Sequence, residues 1–252
     1  MTVICAIVYG VLGLVTGSFL NVVIVRVPKG ESIVTPRSHC LECGHYLRPW
    51  ELIPVLSFLL LGGKCVKCGI KISWRYPAVE LFTGILFVIT YFLRPERTLF
   101  GIILDLLFIA LLIALTFIDI ETFRLPNVLV IIVAATGLVN TFVTGDPVIW
   151  RSLGGAVGAG GVFLLIAYFY SEGMGWGDVK FVTALGLYLG SPDIFIAVFI
   201  ASLSGVIIGG IKIFLYKKDL KEPIPFGPFL AGGALGMLLF GTQLFKIINL
   251  LS

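Results

Sequence analysis

This sequence predicts an all-α polytopic membrane protein, with about eight transmembrane helices and a zinc-binding loop between the first and the second. Three observations carry that prediction. Hydrophobic residues make up 58% of the chain and charged residues 13%, about half the charged share of an ordinary soluble domain. The apolar residues are gathered into long runs instead of being spread at the spacing of half-buried surface elements. The one extended polar stretch holds four of the five cysteines, in two close pairs.

Taken in order, the apolar segments are Val3–Val25, Ala78–Leu93, Leu99–Ile118, Leu125–Val143, Val148–Tyr170, Val179–Leu189, Ile194–Tyr216 and Pro228–Leu251. Val3–Val25 is long enough to span. It is expected to be a helix of the mature protein, because the apolar core of a cleavable signal is only about 7–15 residues. Ala78–Leu93 is short and extends backward into Trp74-Arg75-Tyr76. Leu125–Val143 opens beside Pro126, and proline suits the start of a helix, where its missing N–H costs nothing. Val179–Leu189 is too short to span alone. It is expected to be tilted, broken or partly re-entrant, which is tolerated only inside protein or beside water. Gly13-xxx-Gly17 and Gly154-xxx-Gly158 have the spacing that lets helices pack closely in lipid. The second is not a nucleotide-binding loop, because no strand precedes it.

Orientation follows from lysine and arginine. The stretch from Arg26 to Tyr76 contains Arg26, Lys29, Arg37, Arg48, Lys64, Lys67, Lys71 and Arg75. Arg124, and then Lys217, Lys218 and Lys221, fall in loops on the same side if eight spans alternate. The opposite loops hold Arg94, Arg97 and Arg151. The positive-inside rule therefore places the large first loop in the cytoplasm and both termini outside. Membrane lipid is the expected surrounding, and no nucleic-acid partner is expected.

The polar loop carries Cys40-x-x-Cys43 and Cys65-x-x-Cys68, separated by 21 residues. Two such pairs at this separation are a strong zinc signal. Four thiolates close the coordination, so the metal is expected to order the loop structurally. A loop of about 50 residues cannot build a large core, and a metal substitutes for one. His39 and His45 flank the first pair and are secondary candidates as ligands. Cys5 lies inside the first apolar segment and reads as a small apolar residue.

Two carboxylates stand out at the cytoplasmic ends of apolar segments: Asp119 and Asp178. An ionisable group at membrane depth is costly and is by default a functional candidate. Asp178 sits in Gly173-Met174-Gly175-Trp176-Gly177-Asp178-Val179-Lys180. The three glycines weaken a helix and permit another chain to approach, which suits a peptide that must be extended for cleavage. Asp119 taken alone also fits a capping or interfacial residue. Together the pair suggests an aspartic-type hydrolase, one carboxylate keeping its proton while the other activates water. Which does which is not decided by sequence. Asp105 and Glu80 read as polar partners between helices, with an accessory role in the site as the alternative. Lys180 either supports the ionised Asp178 or reaches toward the interface.

The run Gly17-Ser18-Phe19-Leu20-Asn21-Val22-Val23, with Arg26, Pro28 and Pro36-Arg37-Ser38, resembles the amino-terminal signature of the bacterial type IV prepilin peptidases. The resemblance continues through both cysteine pairs, Ile53-Pro54-Val55-Leu56-Ser57, Ile72, Arg75-Tyr76-Pro77 and Glu80. It then covers Asp119, Leu125-Pro126, Gly175-Trp176-Gly177-Asp178-Val179-Lys180 and Pro225-Phe226-Gly227-Pro228. Leu41, where proline is common, and Glu51, where aspartate is common, depart from the pattern without touching the aspartates or the cysteines. The resemblance implies a GxGD aspartic peptidase that removes the leader of prepilins or pseudopilins, with Asp119 and Asp178 catalytic. It also implies methylation of the new amino terminus with S-adenosylmethionine, an activity linked to the cysteine loop. The implied organisation is a first helix at residues 1–25, the zinc loop at residues 26–77 and a peptidase core at residues 78–252. The sequence names no S-adenosylmethionine contacts, no particular pilin and no oligomeric state.

Two other functions fit parts of the pattern. A peptidase without methylation would keep the aspartates, but retention of all four cysteines argues against it. A transporter or assembly factor with a zinc-ordered loop would fit the spans and Asp105. The GxGD run with a partner aspartate on the same face discriminates against that reading.

Overall fold

The computed structural model describes residues 2–170, 174–216 and 224–251. Gly173, Lys217, Lys218 and Lys221, used above for the site and the charge bias, lie outside the described residues. Among the described residues the regular elements are helices, in two compact units, Met1–Pro95 and Glu96–Ser252. The first unit contains α1 (Thr2–Arg26), α2 (Leu56–Leu60) and α3 (Arg75–Leu93). The second contains α4 (Leu99–Thr122), α5 (Asn127–Thr144), α6 (Ile149–Phe169), α7 (Trp176–Leu189), α8 (Asp193–Tyr216) and α9 (Gly227–Leu251).

Among the described residues, seven helices are long and apolar enough to cross a membrane. The remaining apolar segment forms α7, whose 14 residues agree with the shortness read from Val179–Leu189. As expected, α3 begins before Ala78. Helix α5 begins at Asn127, with Pro126 extended at its amino-terminal cap.

In the first unit α1 and α3 meet through glycine. A Cβ on Gly13 would stand 2.7 Å from Gly84 Cα, and one on Gly17 2.6 Å from Glu80 Cα. The small-xxx-small spacing thus has the role expected of it. Asn21 donates its amide to the Tyr76 carbonyl at 3.0 Å, tying the end of α1 to the start of α3. Glu80 accepts the Val55 backbone N–H at 2.7 Å. Val55 has φ of 61°, a costly conformation for a β-branched residue. Glu80 therefore pins the loop at the entrance to α2, the structural role read for it from sequence.

The second unit is built around α4, whose Phe108, Ile109, Leu112, Ile113, Leu115 and Ile118 are almost wholly buried. Helix α7 packs closely on α6 and α5 through glycine. A Cβ on Gly186 would lie 2.6 Å from the Gly155 carbonyl carbon, and one on Gly137 2.7 Å from Tyr188 N. The α6 contact differs from the expectation by one residue. Gly154 faces open space, while Gly155 makes the backbone contact and Gly158 faces the Phe195 ring. One residue turns the helix by about 100°, so spacing alone points to the motif without choosing its face.

Candidate active site and metal centre

Asp119 lies in the last turns of α4 and is 5% exposed. The turn closes at Phe123, which is left-handed at φ 53° and returns its N–H to the Asp119 carbonyl at 2.9 Å. The chain then leads through Leu125 into α5. The Asp119 side chain is held by a different element. Its Oδ2 accepts the backbone N–H of Gly227, the first residue of α9, at 2.9 Å. A helix amino terminus presents unpaired N–H groups and a partial positive charge, so α9 meets Asp119 with its electropositive end.

Asp178 occupies the first turn of α7, with Gly175 at the amino-terminal cap. Its backbone N–H returns to the Gly175 carbonyl at 3.0 Å. A Cβ on Gly175 would stand 3.3 Å from Asp178 Oδ2, so glycine leaves that carboxylate room. The charge of Asp119 bears on Asp178, which brings the two sequence-predicted carboxylates into one site. Leu125 lies near the glycines beside the two carboxylates. Its side chain would meet a Cβ on Gly177 at 3.4 Å and one on Gly227 at 3.2 Å. Each carboxylate is thus at or near a helix amino terminus, with glycine at the close approaches of Gly175 and Gly227.

Lys180 turns away from this pair. Its Nζ donates to Asn127 Oδ1 at 3.0 Å and ties the start of α7 to the start of α5. An open recess of about 530 Å³ follows between these helices, from Asn127 and Lys180 down to Leu187. Asp105 lies in the second turn of α4, nearer that helix's start than its middle. It is fully buried and bound by Arg97 and Tyr188 at the end of the unit away from Asp119. It is therefore a partner between helices, as read from sequence, and not a member of the carboxylate site.

The four cysteines come together in the first unit. Cys40, Cys43, Cys65 and Cys68 place their Sγ atoms within 4.8 Å of one another. Two of the separations, Cys40 to Cys68 and Cys43 to Cys65, are 3.9 Å. Tetrahedral zinc at about 2.3 Å from each sulfur asks for sulfur separations close to this. The two halves are built alike. Gly44 (φ 67°) and Gly69 (φ 73°) follow the second cysteine of each pair and donate back to the Cys40 and Cys65 carbonyls, at 3.0 and 2.9 Å. Cys40 N–H then pairs with the His45 carbonyl and Cys65 N–H with Ile70, each at 2.9 Å. N–H groups of Cys68 and then Lys67 hold the Cys65 thiol down at about 6. Against the Ile70 N–H, burial and the neighbouring sulfurs push Cys68 up to about 12, so the crowded sulfurs share their protons unless a metal displaces them.

The histidines take other partners. His45 Nε2 lies 3.2 Å from Glu51 Oε2. His39 Nδ1 lies 3.0 Å from the Arg37 carbonyl. Glu51 also accepts the Arg48 N–H at 2.6 Å, and this hydrogen bond first, with His45 beside it, holds its carboxyl below the usual range. Cys5 stands apart from the cluster. Two features of the site escaped the sequence: the Gly227 amide on Asp119 and the Asn127 partner of Lys180. The only available signal for the first was the run Pro225-Phe226-Gly227-Pro228, which marks a turn and says nothing about what the turn touches.

Comparison with known proteins gives a consistent answer. Residues 11–93 match the bacterial peptidase A24 N-terminal domain, and residues 106–210 match the type IV leader peptidase family. A prepilin leader peptidase/N-methyltransferase of Pseudomonas aeruginosa is 36% identical, over 96% of this chain and 91% of its own. A protein of the same name from Bacillus subtilis is 35% identical, over 93% of this chain and 94% of its own. Another from Burkholderia pseudomallei strain 1026b is 34% identical, over 95% and 86%. No solved structure matches the chain.

Proposed function

The chain belongs to the type IV leader peptidase family, and we infer that it is a bifunctional membrane enzyme. It cleaves the leader peptide of type IV prepilins or pseudopilins and N-methylates the new amino-terminal residue with S-adenosylmethionine. The observation that carries the peptidase half is the meeting of Asp119 and Asp178 at the ends of α4 and α7, with the α9 amino terminus on Asp119.

The chemistry follows from two neighbouring carboxylates, which do not both ionise readily. The ionised one takes a proton from water, whose oxygen adds to the scissile carbonyl carbon. The protonated one gives its proton to the carbonyl oxygen. When the tetrahedral intermediate collapses, the C–N bond breaks, the leaving amine takes up a proton from the carboxylate that gained one, and a hydroxyl of the intermediate returns its proton to the other carboxylate as the carbonyl re-forms. The pair titrates as a unit, so the roles belong to the dyad and not to one residue. The Gly227 amide keeps Oδ2 of Asp119 from turning away, which is positioning of the kind this step depends on.

Residues 26–77 are assigned to the methylation half, and the membrane core within residues 78–252 to cleavage. Zinc held by Cys40, Cys43, Cys65 and Cys68 would be closed by four thiolates, and what it would supply is order in the loop. The setting is the bacterial inner membrane, with several spans. The charge bias favours a cytoplasmic first loop and cytoplasmic aspartates. On that arrangement a cut pilin presents its new amino terminus on the side where the loop lies. The test is incubation of the purified protein with a prepilin and isotope-labelled S-adenosylmethionine, read by mass spectrometry. Loss of the leader and gain of one methyl group are expected. An intact leader would overturn the peptidase reading, and a cut but unmethylated product would reduce the enzyme to a peptidase.

A further inference from the structure

The helices that carry the two carboxylates are also joined at their other ends. Helix α4 holds Asp105 in its second turn and Asp119 in its last turns, about 21 Å apart at 1.5 Å per residue. Helix α7 holds Asp178 in its first turn and Tyr188 in its last. The Tyr188 hydroxyl donates to Asp105 Oδ1 at 2.6 Å. Its ring stacks on Phe108 of α4, with centroids 3.7 Å apart and planes 4° from parallel. Asp105 and Tyr188 are both buried.

Asp105 is itself held firmly. Arg97 Nε and Nη2 grip its two oxygens at 3.2 Å each. The same guanidinium reaches Asn140 Oδ1 and Asp146 Oδ2, also at 3.2 Å. The acceptor for Tyr188 is thereby tied to the end of α5 as well as to α4.

The close backbone approaches of α7 are made at glycine, against α5 and α6. The glycine faces themselves offer few ridges to stop sliding. Two hydrogen bonds tie α7 to these neighbours, Ser152 Oγ to the Leu187 carbonyl at 2.7 Å and Lys180 Nζ to Asn127 Oδ1 at 3.0 Å. Between α4 and α7 the junction includes a directional hydrogen bond and a parallel ring stack, both of which specify an axial position. A displacement of about 1 Å at a catalytic group is enough to cost about 100-fold in rate.

We propose that the Asp105–Tyr188 hydrogen bond, braced by Arg97, is a positioning device that sets the register of α7 against α4 and so places Asp178 opposite Asp119. This rests on the reading of those aspartates as the catalytic pair. Tyr188 and Asp105 touch neither substrate nor water in the reaction, and act through the helices they join.

Tyr188→Phe removes the hydrogen bond and keeps the ring stack. In the full-length enzyme in lipid it should lower kcat for prepilin cleavage about tenfold, leave KM within about twofold, and leave methylation of a pre-cleaved pilin unchanged. Asp105→Asn keeps an oxygen for Tyr188 while unpairing Arg97. It should lower Tm more than Tyr188→Phe does, yet retain more of kcat. If the rates of the two variants instead follow their Tm values, the role is merely structural and the proposal is overturned. A second readout needs no catalysis: an Asp119→Cys, Asp178→Cys pair joined by a short bifunctional thiol reagent. Adding Tyr188→Phe should slow that cross-link several-fold. An unchanged cross-linking rate overturns the register proposal. Cleavage that survives Asp119→Asn would overturn the catalytic assignment instead, and would leave the cross-link result standing.

Discussion

Gly227 donates its backbone N–H to Asp119 Oδ2 at 2.9 Å, and a Cβ at position 227 would stand 2.7 Å from that same oxygen. The contact therefore requires both an amide there and no side chain. Gly227→Ala should force the carboxylate or the start of α9 to move. Prepilin cleavage should fall about 10- to 100-fold, while methylation of a pre-cleaved pilin continues. Wild-type cleavage by a folded Gly227→Ala enzyme would show that the close approach is not needed.

Asp119→Asn and Asp178→Asn should each abolish leader cleavage, because an amide can neither take the proton from water nor return it. The loss should reach at least the 10²- to 10⁴-fold worth of general acid–base help, as an order of magnitude. Each variant should still methylate a pre-cleaved pilin. A folded Asp178→Asn enzyme unable to do so would mean that the two activities share a site.

One tightly bound zinc per chain should be found by elemental analysis. Cys40→Ser or Cys68→Ser should release it, because a closed four-thiolate site loses its closure with any one ligand. Methylation should suffer more than cleavage, since the metal would lie in the loop while the carboxylates proposed to react lie on α4 and α7. Full zinc occupancy in a Cys40→Ser, Cys68→Ser double variant would place the ligands elsewhere.

The neighbouring glycines of α6 should respond in opposite ways. Gly154→Ala meets open space and should be neutral or slightly stabilising, as expected for glycine to alanine in a helix. Gly155→Ala pushes a methyl into the Gly186 carbonyl, 2.8 Å away, and into the chain at Gly190. It should cost about 1–3 kcal/mol, the usual range for overpacking. Thermal unfolding of the two variants in the same detergent would decide, and equal Tm values would contradict the packing described.

Much of this was legible before any coordinates. Spans declare themselves because lipid requires long apolar runs. The cysteine pairs do so because metal ligands need fixed spacing within each turn. Asp119 and Asp178 stood out because a carboxylate in apolar surroundings is costly. The rest depended on tertiary geometry. Gly227 touches Asp119 through its backbone, and backbone contacts leave no residue-type signature. Arg97 lies before α4 and read only as a weak charge-bias signal, yet it grips the buried Asp105. Gly154 and Gly155 are the same residue type one position apart, and only the neighbouring helix distinguishes them.

The shortness of α7 bears on where the second substrate comes from. Hydrolysis consumes one water molecule for every peptide bond cut, and the hydrocarbon interior of a bilayer contains almost none. The 14 residues of α7 reach about 21 Å, some 9 Å less than the roughly 30 Å apolar thickness, and Asp178 sits at the helix's first turn. A wall shorter than the bilayer leaves part of that thickness uncovered, and on the proposed reading the uncovered part is at the end that carries Asp178. Water would then reach the proposed dyad from that end while the apolar part of the substrate stayed in lipid.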